Sequence, residues 1–315
     1  MHTPTLKELP APPEGKSGWP WREASPLLPE NGPGSQPWPE VSIVTPSFNQ
    51  GEFLEETVRS VLLQGYPNLT YTIIDGGSTD RSVEIIRKYE AWLAGWTSEP
   101  DRGQSEAINK GFARARGEIL GWLNSDDVYE PGALQRVAGY FRATPDCNLV
   151  YGNGWNIDEH GNKTQPCDWI RPFDRSLYLN SNFILQPAAF WRRSLWEQTG
   201  ELDPALNWTM DWDWFIRATV WTTPHYLEVD LARWRVRPEN KTFAGGYDRR
   251  GEIARISRRY GGVWQPTYLV YQLDRLSWRL SGGSSGRVLA GVVRFLSQPL
   301  RWLLKSQLWK GRYQD

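Results

Sequence analysis

The run Glu118-Ile119-Leu120-Gly121-Trp122-Leu123-Asn124-Ser125-Asp126-Asp127 carries an apolar stretch of strand length straight into two adjacent carboxylates. Strand ends are where an open α/β sheet presents its ligands. Hard divalent cations such as Mg²⁺ and Mn²⁺ take oxygen ligands, and one or two protein carboxylates suffice when a bound phosphate completes the shell. The same Asp residues, standing before the Pro131-Gly132 turn, also suit a helix cap or a solvated loop. The surrounding sequence weighs between these readings.

Val41-Ser42-Ile43-Val44-Thr45 reads as a short buried strand closed by Pro46-Ser47-Phe48-Asn49-Gln50-Gly51. Leu54, Val58, Val61 and Leu62 then recur at helical spacing, and Tyr71-Thr72-Ile73-Ile74 forms a second apolar strand ending at Asp75. Strand, helix and strand in that order imply a parallel pair. Gly76-Gly77-Ser78-Thr79-Asp80 turns into a helix carrying Val83, Ile86 and Tyr89, and a further helix near Ser105 to Arg116 leads into the strand before Asp126. The alternation predicts an α/β fold with an open, mostly parallel sheet flanked by helices, its polar turns meeting at the carboxyl ends of three strands. Later come a helical face through Leu134, Val137, Ala138 and Phe141, a strand at 148–152, and a polar loop through Trp169.

A chain of 315 residues has room for one large α/β domain with extensions. Lys+Arg and Asp+Glu both number 36, which argues against a nucleic-acid partner. The balance hides a local asymmetry: from Arg275 to Arg312 there are eight basic residues and no acidic one. Residues 1–40 hold ten prolines and read as an extended arm, with Trp19, Trp21 and Trp38 as anchors on the folded body. From about Gly261 two amphipathic patterns follow, one through Leu269, Leu273, Leu276 and Leu280, the other through Val288, Val292, Phe295 and Leu296, which Pro299 should end or kink. With Trp278, Trp302 and Trp309 this basic tail reads either as an interfacial helix drawn to anionic lipid or as a dimerisation hairpin. The only two cysteines, Cys147 and Cys167, read as free thiols of a reducing compartment. Neither a targeting segment nor a membrane span is expected. The expected location is therefore cytoplasmic, peripheral on the inner face of the cell membrane if the tail binds lipid. Nineteen tryptophans are several times what an average chain of this length carries; most read as core or interface packing, and flat indoles also suit the C–H faces of sugars.

Asp75, at a strand end, can accept hydrogen bonds from a nucleobase or ribose, or cap the next helix. Asp101-Arg102-Gly103-Gln104-Ser105 and Asn109-Lys110-Gly111 add polar groups near the same sheet edge, where Arg102 or Lys110 can balance phosphate charge. Gly76-Gly77 is neither a Walker loop nor a GxGxxG fingerprint, which argues against a nucleotide triphosphatase or a dehydrogenase. Met210-Asp211-Trp212-Asp213-Trp214-Phe215-Ile216-Arg217 sets two carboxylates among aromatics, an environment that tunes a general base or simply a helix N-terminus. The alternation allows Asp211 to face the cleft while Asp213 caps the helix or pairs with Arg217.

Together these residues resemble the family 2 inverting glycosyltransferases of the GT-A fold. The stretch 41–49 is similar to that family's first strand and nucleotide loop, Ile74–Asp80 to its second, and Leu123–Asp127 to its metal motif. Gln186–Arg193 and Met210–Arg217 resemble its acceptor half, so the likeness spans about residues 41 to 242. It implies a GT-A domain at 41–260 between the arm at 1–40 and a basic helical extension at 261–315. It further implies Mn²⁺ or Mg²⁺ at Asp126 and Asp127, and Asp211 as catalytic base. Nucleotide-sugar contacts are implied for Pro46, Phe48, Asn49, Asp75, Asp101, Gln104, Asn109, Lys110, Asn124 and Asp127. The implied reaction moves a sugar from a nucleotide-diphosphate sugar to a hydroxyl of a glycan or lipid-linked acceptor, with the tail at 265–315 meeting a membrane or a second copy. The alternative is a catalytically silent carbohydrate-binding or scaffold subunit on the same fold. Three departures stand out: Asn124 replaces the first acid of an Asp-x-Asp triplet, Gly76 a second acid after Asp75, and Met210 the acid before Asp211. Arg237 stands where many relatives have His, and is expected to touch the diphosphate instead.

Overall fold

The computed structural model describes residues 3–261 and 266–280, with positions 288, 290–293, 295, 297–299 and 302 beyond them. Its first half alternates as β1 (Val41–Ser47), α1 (Leu54–Leu62), β2 (Leu69–Asp75), α2 (Ser82–Tyr89), β3 (Gly95–Ser98), α3 (Gln104–Arg114) and β4 (Ile119–Trp122). Every residue of β1 is buried, as a central parallel strand covered on both faces must be. It pairs in parallel with β2 and with β4, and β2 pairs in parallel with β3. The register sets Ser47 beside Asp75 and Asp75 beside Ser98, so these strands open their carboxyl ends along one edge. α3 crosses close over β1 because Gly111 has no side chain: a Cβ there would lie 2.3 Å from Val44 Cγ1.

The second half supplies β5 (Val128–Tyr129), α4 (Ala133–Ala143), β6 (Leu149–Ile157), β7 (Lys163–Pro166), α5 (Arg175–Tyr178), β8 (Ala189–Arg192), α6 (Arg193–Thr199), α7 (Met210–Ala218) and β9 (His225–Arg235). The sheet runs β3-β2-β1-β4-β8-β6-β9-β5, with β7 on β6. It is parallel from β3 to β4 and mixed beyond, where β8 lies antiparallel to both β4 and β6 while β6 and β9 run parallel. The stretch after Gly152, expected as a loop, is instead the rest of β6 and its antiparallel partner β7. All four residues of β7 are exposed and none is a large apolar one, so backbone pairing, with Lys163 on Glu130 at 2.6 Å and over the Trp155 ring, holds this edge strand and no apolar alternation announces it.

Three helices follow among the described residues up to Leu280: α8 (Lys241–Ala244), α9 (Gly246–Gly261) and α10 (Pro266–Leu280). α9 begins well before the first amphipathic pattern read from the sequence, because its five arginines (Arg249, Arg250, Arg255, Arg258, Arg259) blur the apolar period. Leu296, Trp309 and the Trp278 side chain lie outside the described residues, so those expectations have no structural counterpart here. No helix among the described residues is long and apolar enough to cross a membrane.

Residues 3–40 lie against the body. Trp19, Trp21 and Trp38 are buried, and Trp19 Nε1 donates to the Tyr129 carbonyl at 2.8 Å. Arg59 of α1 is fully buried; its guanidinium donates to the carbonyls of Pro10, Pro20 and Trp21 and to the Tyr89 hydroxyl. A buried cation is tolerated only when its N–H groups are satisfied, and the arm provides the carbonyls. Under this cover every residue of α1 is buried, Glu55 and Glu56 included. Glu55 is compensated by Lys88 at 2.6 Å and the Tyr89 hydroxyl at 2.8 Å.

Several tryptophans form one aromatic core: Trp191 meets Trp214 at 4.7 Å between ring centroids, Trp214 meets Trp196 at 5.4 Å, and Trp122 meets Trp191 at 5.6 Å. Others line the cleft described next.

Candidate active site

The carboxyl edge of the sheet opens into a cleft of about 900 Å³. One wall comes from the ends of β1, β2 and β4 and from α3, the other from the loop before β8, the start of α7, and α8 to α10.

The first wall depends on two residues that do not themselves line the cleft. Asp75 is fully buried and its carboxylate accepts from the N–H groups of Gly77 and Ser78 and from the hydroxyls of Ser78 and Ser98. Asn49 sits in the left-handed region at φ 51°; its Oδ1 accepts from Thr79 N–H at 2.9 Å, and its own N–H donates to Ser78 Oγ at 2.8 Å. Together they stitch the loops after β1 and β2 into one platform. Pro46 and Phe48 line the cleft from that platform, and the Phe48 ring stays 59% exposed, free to stack on a planar ligand. Beside it Gly76 makes room for a neighbour, since a Cβ at that position would stand 2.8 Å from Asp101 Oδ2. The Asp101 carboxylate thus fills the space that an acid at position 76 would claim. Burial pushes its pKa up, and the Gly103 N–H pulls it back.

The acidic turn after β4 separates its two carboxylates by role. Asp127 is buried and spent: Oδ1 accepts from Arg235 N–H at 3.0 Å and Oδ2 from Asn124 Nδ2 at 3.2 Å. Asp126 lines the cleft with one-fifth of its side chain exposed (20%), and its ion-pair partner is Arg237 at 3.5 Å. Burial raises both carboxyls, and the charge of Asp126 raises Asp127 further. Asn124 bridges Asp127, Gln186 and Gln104 through its amide. An acid at 124 has no N–H to donate and would add a third negative charge to this turn. Arg235, with no exposed side chain, underpins the turn by donating to the carbonyls of Asp126, Asp158 and Glu159 and pairing with Glu56 at 2.8 Å. Arg237 lies over the Phe53 ring at 4.2 Å, and its buried Nε has no partner among the described residues.

On the opposite wall, Asp211 opens α7 and accepts from Asn182 Nδ2 at 3.0 Å. Burial raises its pKa, against that bond and the nearby charge of Arg249. Two residues on, Asp213 points away and is held by Arg217 at 2.9 Å, Arg259 at 3.2 Å and the Tyr260 hydroxyl at 2.7 Å. The loop before α7 is held from α9: the Glu252 carboxylate accepts from the N–H groups of Asn207, Trp208 and Thr209 and from the Thr209 hydroxyl, at 2.8–3.0 Å. An anion there also suits the positive end of the α7 dipole. Lys241 Nζ reaches Gln104 Oε1 across the cleft at 3.3 Å, and burial lowers its pKa against the attraction of Glu252 and Asp211. Trp169, Trp208 and Trp234 give this half an aromatic lining.

The cleft therefore brings together Pro46, Phe48, Asp101, Gln104, Asn124, Asp126, Asp127 and Asp211. Asn109 and Lys110 are engaged elsewhere: Asn109 clamps the backbone of Leu202 through both amide atoms, and Lys110 pairs with Glu99 and Glu106. Asn182, Arg249 and Glu252 carry no local signal in the sequence, because only the tertiary fold brings α9 and the loop before β8 to Asp211. Lys241 stands four residues after Arg237 in a run read only for its arginine.

A model of glycosyl transferase family 2 matches residues 42–199. The chain belongs to that family. The matched segment covers the first wall and stops short of Asp211, and membership places this glycosyltransferase among the transferase enzymes. An uncharacterized glycosyltransferase of Mycobacterium tuberculosis is 30% identical over 190 residues, 58% of this chain and 70% of the relative. One from a Nostoc species is 30% identical over 128 residues, 38% of this chain and 40% of the relative. Chondroitin synthase of Escherichia coli is 28% identical over 180 residues, 56% of this chain but 26% of the synthase. The chain thus spans from about a quarter to 70% of the length of these relatives. Among solved structures, a fragment of S. aureus TarS in complex with UDP-GlcNAc superposes with a TM-score of 0.58 at 16% identity, covering 85% of this chain and 80% of that one. The mannosyltransferase PcManGT from Pyrobaculum calidifontis, in complex with GDP-Man and Mn²⁺, gives 0.54 at 17% identity, covering 85% and 84%. These likenesses show the GT-A fold.

Proposed function

We propose that this glycosyltransferase transfers a sugar from a nucleotide-diphosphate sugar to an acceptor hydroxyl with inversion at the anomeric carbon. The observation that carries the reading is the arrangement of one cleft, with Asp126 on the sheet-edge wall and Asp211 on the wall facing it, each beside cationic side chains. In this reading Phe48 and Asp101 receive the nucleoside end over the platform that Asn49 and Asp75 build. Arg237 and Lys241 face the diphosphate, and the tryptophan-lined half takes a glycan or lipid-linked acceptor. Asp211 accepts the proton of the attacking hydroxyl. That oxygen forms its bond to the anomeric carbon as the bond to the β-phosphate oxygen breaks and its electron pair leaves with the diphosphate. A single displacement inverts the centre.

The residues fit a hard divalent cation, Mn²⁺ or Mg²⁺. Among the described residues no three His, Cys, Asp or Glu converge, so Asp126, supported by Asp127, would hold the ion with the substrate's own oxygens. Two adjacent carboxyls, Asp127 buried and Asp126 one-fifth exposed, both pushed upward by burial, are the kind of pair that a cation relieves. Bound there, it would neutralise charge on the leaving diphosphate. The buried, unpaired cysteines Cys147 and Cys167, raised by burial to about 11 and about 12, suit a reducing, cytoplasmic setting.

The test is release of nucleoside diphosphate from a panel of UDP- and GDP-sugars, with and without Mn²⁺ and with cell-envelope glycan extracts as acceptor. Turnover of one donor that rises with acceptor supports the proposal; binding without turnover of any donor supports the scaffold alternative. Two further results are expected. The acid limb of kcat/KM should lie above the ordinary carboxylate range, since the buried Asp211 must lose its proton to act and burial resists that loss; a limb at the ordinary value would remove Asp211 as base. Gly76→Ala should push Asp101 aside and weaken nucleotide binding about five- to tenfold. Its thermal midpoint should scarcely move, because the atom displaced is the end of a flexible side chain.

A further inference from the structure

α10 divides two surfaces. Thr267 and Tyr271 line the cleft, while Leu269, Leu273 and Leu276 on its other side, together with Arg275 and Arg279, form a groove of about 470 Å³ against Tyr247 of α9. Both guanidinium groups lie over the Tyr247 ring, at 4.5 and 5.5 Å, and Arg275 Nε is buried without a partner among the described residues. The chain beyond exposes further apolar side chains. Val288, Val292 and Phe295 are helical and fall within an arc of about 60° at 3.6 residues per turn. They are 69%, 50% and 75% exposed, and Trp302 further on is 70% exposed. The opposite side of the same segment faces inward: Ala290 and Ser297 are buried, and the Ala290 carbonyl accepts from Ser277 Oγ of α10 at 3.2 Å. Half of the large apolar side chains exposed among the described residues, five of ten, therefore lie between Leu276 and Trp302.

We infer that this face docks on an anionic lipid bilayer. Charge selects the occupant: between Arg275 and Arg312 the sequence has eight basic residues and no acidic one, with arginine repeating every seventh position at Arg287, Arg294 and Arg301. An apolar face within so basic a stretch of sequence matches the boundary between acyl chains and acidic headgroups. A second copy of the same face would bring basic surface against basic surface. The bilayer then lies about one helix diameter, roughly 10 Å, from the acceptor half of the cleft, within reach of a lipid-linked hydroxyl.

The test is co-sedimentation of the full chain with vesicles of phosphatidylcholine alone and of phosphatidylcholine with phosphatidylglycerol, beside light scattering in solution. Binding to the anionic vesicles should exceed binding to neutral ones by about tenfold or more, fall with salt, and drop about tenfold in Val292→Ser/Phe295→Ser. Both substituted side chains are exposed, so nucleoside diphosphate binding should be unchanged in that variant, which controls for folding. Arg279→Gln should weaken anionic binding alone. Equal or absent binding to the two vesicle types overturns the inference, as does a solution dimer that the double variant dissolves. None of these readouts uses turnover, so docking and sugar transfer fail or survive separately.

Discussion

Asp211→Asn is expected to lower turnover by about 10³-fold, corresponding to about 4 kcal/mol of transition-state stabilisation, while leaving nucleotide binding intact. The two parts of this expectation come from different elements. Asp211 lies on α7, held by Asn182 at 3.0 Å and by the Glu252 clasp on the preceding loop. Of the groups assigned to the donor, Phe48, Asp101 and Asp126 lie across the cleft in the loops after β1, before α3 and after β4, while Arg237 and Lys241 lie in the segment after β9 and not on α7. The amide keeps an oxygen for Asn182 to bond, so the local fold should persist and only the proton acceptor is lost. Steady-state release of nucleoside diphosphate, together with nucleotide titration of the same preparation, separates the two. A loss of less than tenfold in turnover would show that another group takes the proton.

Arg235→Met is expected to cost about 3–5 kcal/mol of folding stability and to abolish metal-dependent nucleotide binding as well. Removing the guanidinium leaves Glu56, 4% exposed, as an uncompensated buried charge, and deprives the carbonyls of Asp126, Asp158 and Glu159 of their donors. The Asp126 carbonyl belongs to the turn that aims the cleft carboxylate, so stability and ligand binding should fall together. Chemical denaturation gives the first quantity and calorimetry the second. The double variant Glu56→Gln/Arg235→Met should recover part of the stability, since it removes the stranded charge. An unfolding free energy within about 1 kcal/mol of the parent chain for the single variant would mean that Glu56 finds solvent and the turn holds itself.

The parallel half of the sheet was legible in the sequence because its physics is local. β1, β2 and β4 are short apolar runs, each ending in turn chemistry, and the helices between them repeat at helical spacing, so a parallel sheet with polar strand ends follows from the order of elements. The second half was less so. β7 is a polar edge strand and β9 is exposed over Glu228–Asp230, and neither shows the alternation that marks a half-buried strand. Within the site, residues on the walls and residues under them are indistinguishable by sequence. Asp75 and Asp101 both read as strand-edge acids, yet Asp75 is consumed by Ser78, Ser98 and the turn amides while Asp101 reaches the cleft beside Gly76. Asn109 and Lys110, side by side on α3, are occupied by Leu202 and by Glu99 and Glu106. The clasp of Glu252 on the loop before Asp211 joins residues more than forty positions apart, inside a helix whose arginines give it the look of a solvated surface.

The account turns on a donor site built around Asp126. The measurement that tests it most directly is calorimetric titration of the purified chain with UDP, GDP and other nucleoside diphosphates, with and without Mn²⁺, repeated on Asp126→Ala. The account predicts that one nucleotide binds, that Mn²⁺ strengthens it, and that Asp126→Ala removes the Mn²⁺ dependence and weakens binding by about tenfold or more. Binding that is indifferent to both Mn²⁺ and Asp126, or no binding by any nucleotide to the folded chain, would contradict it.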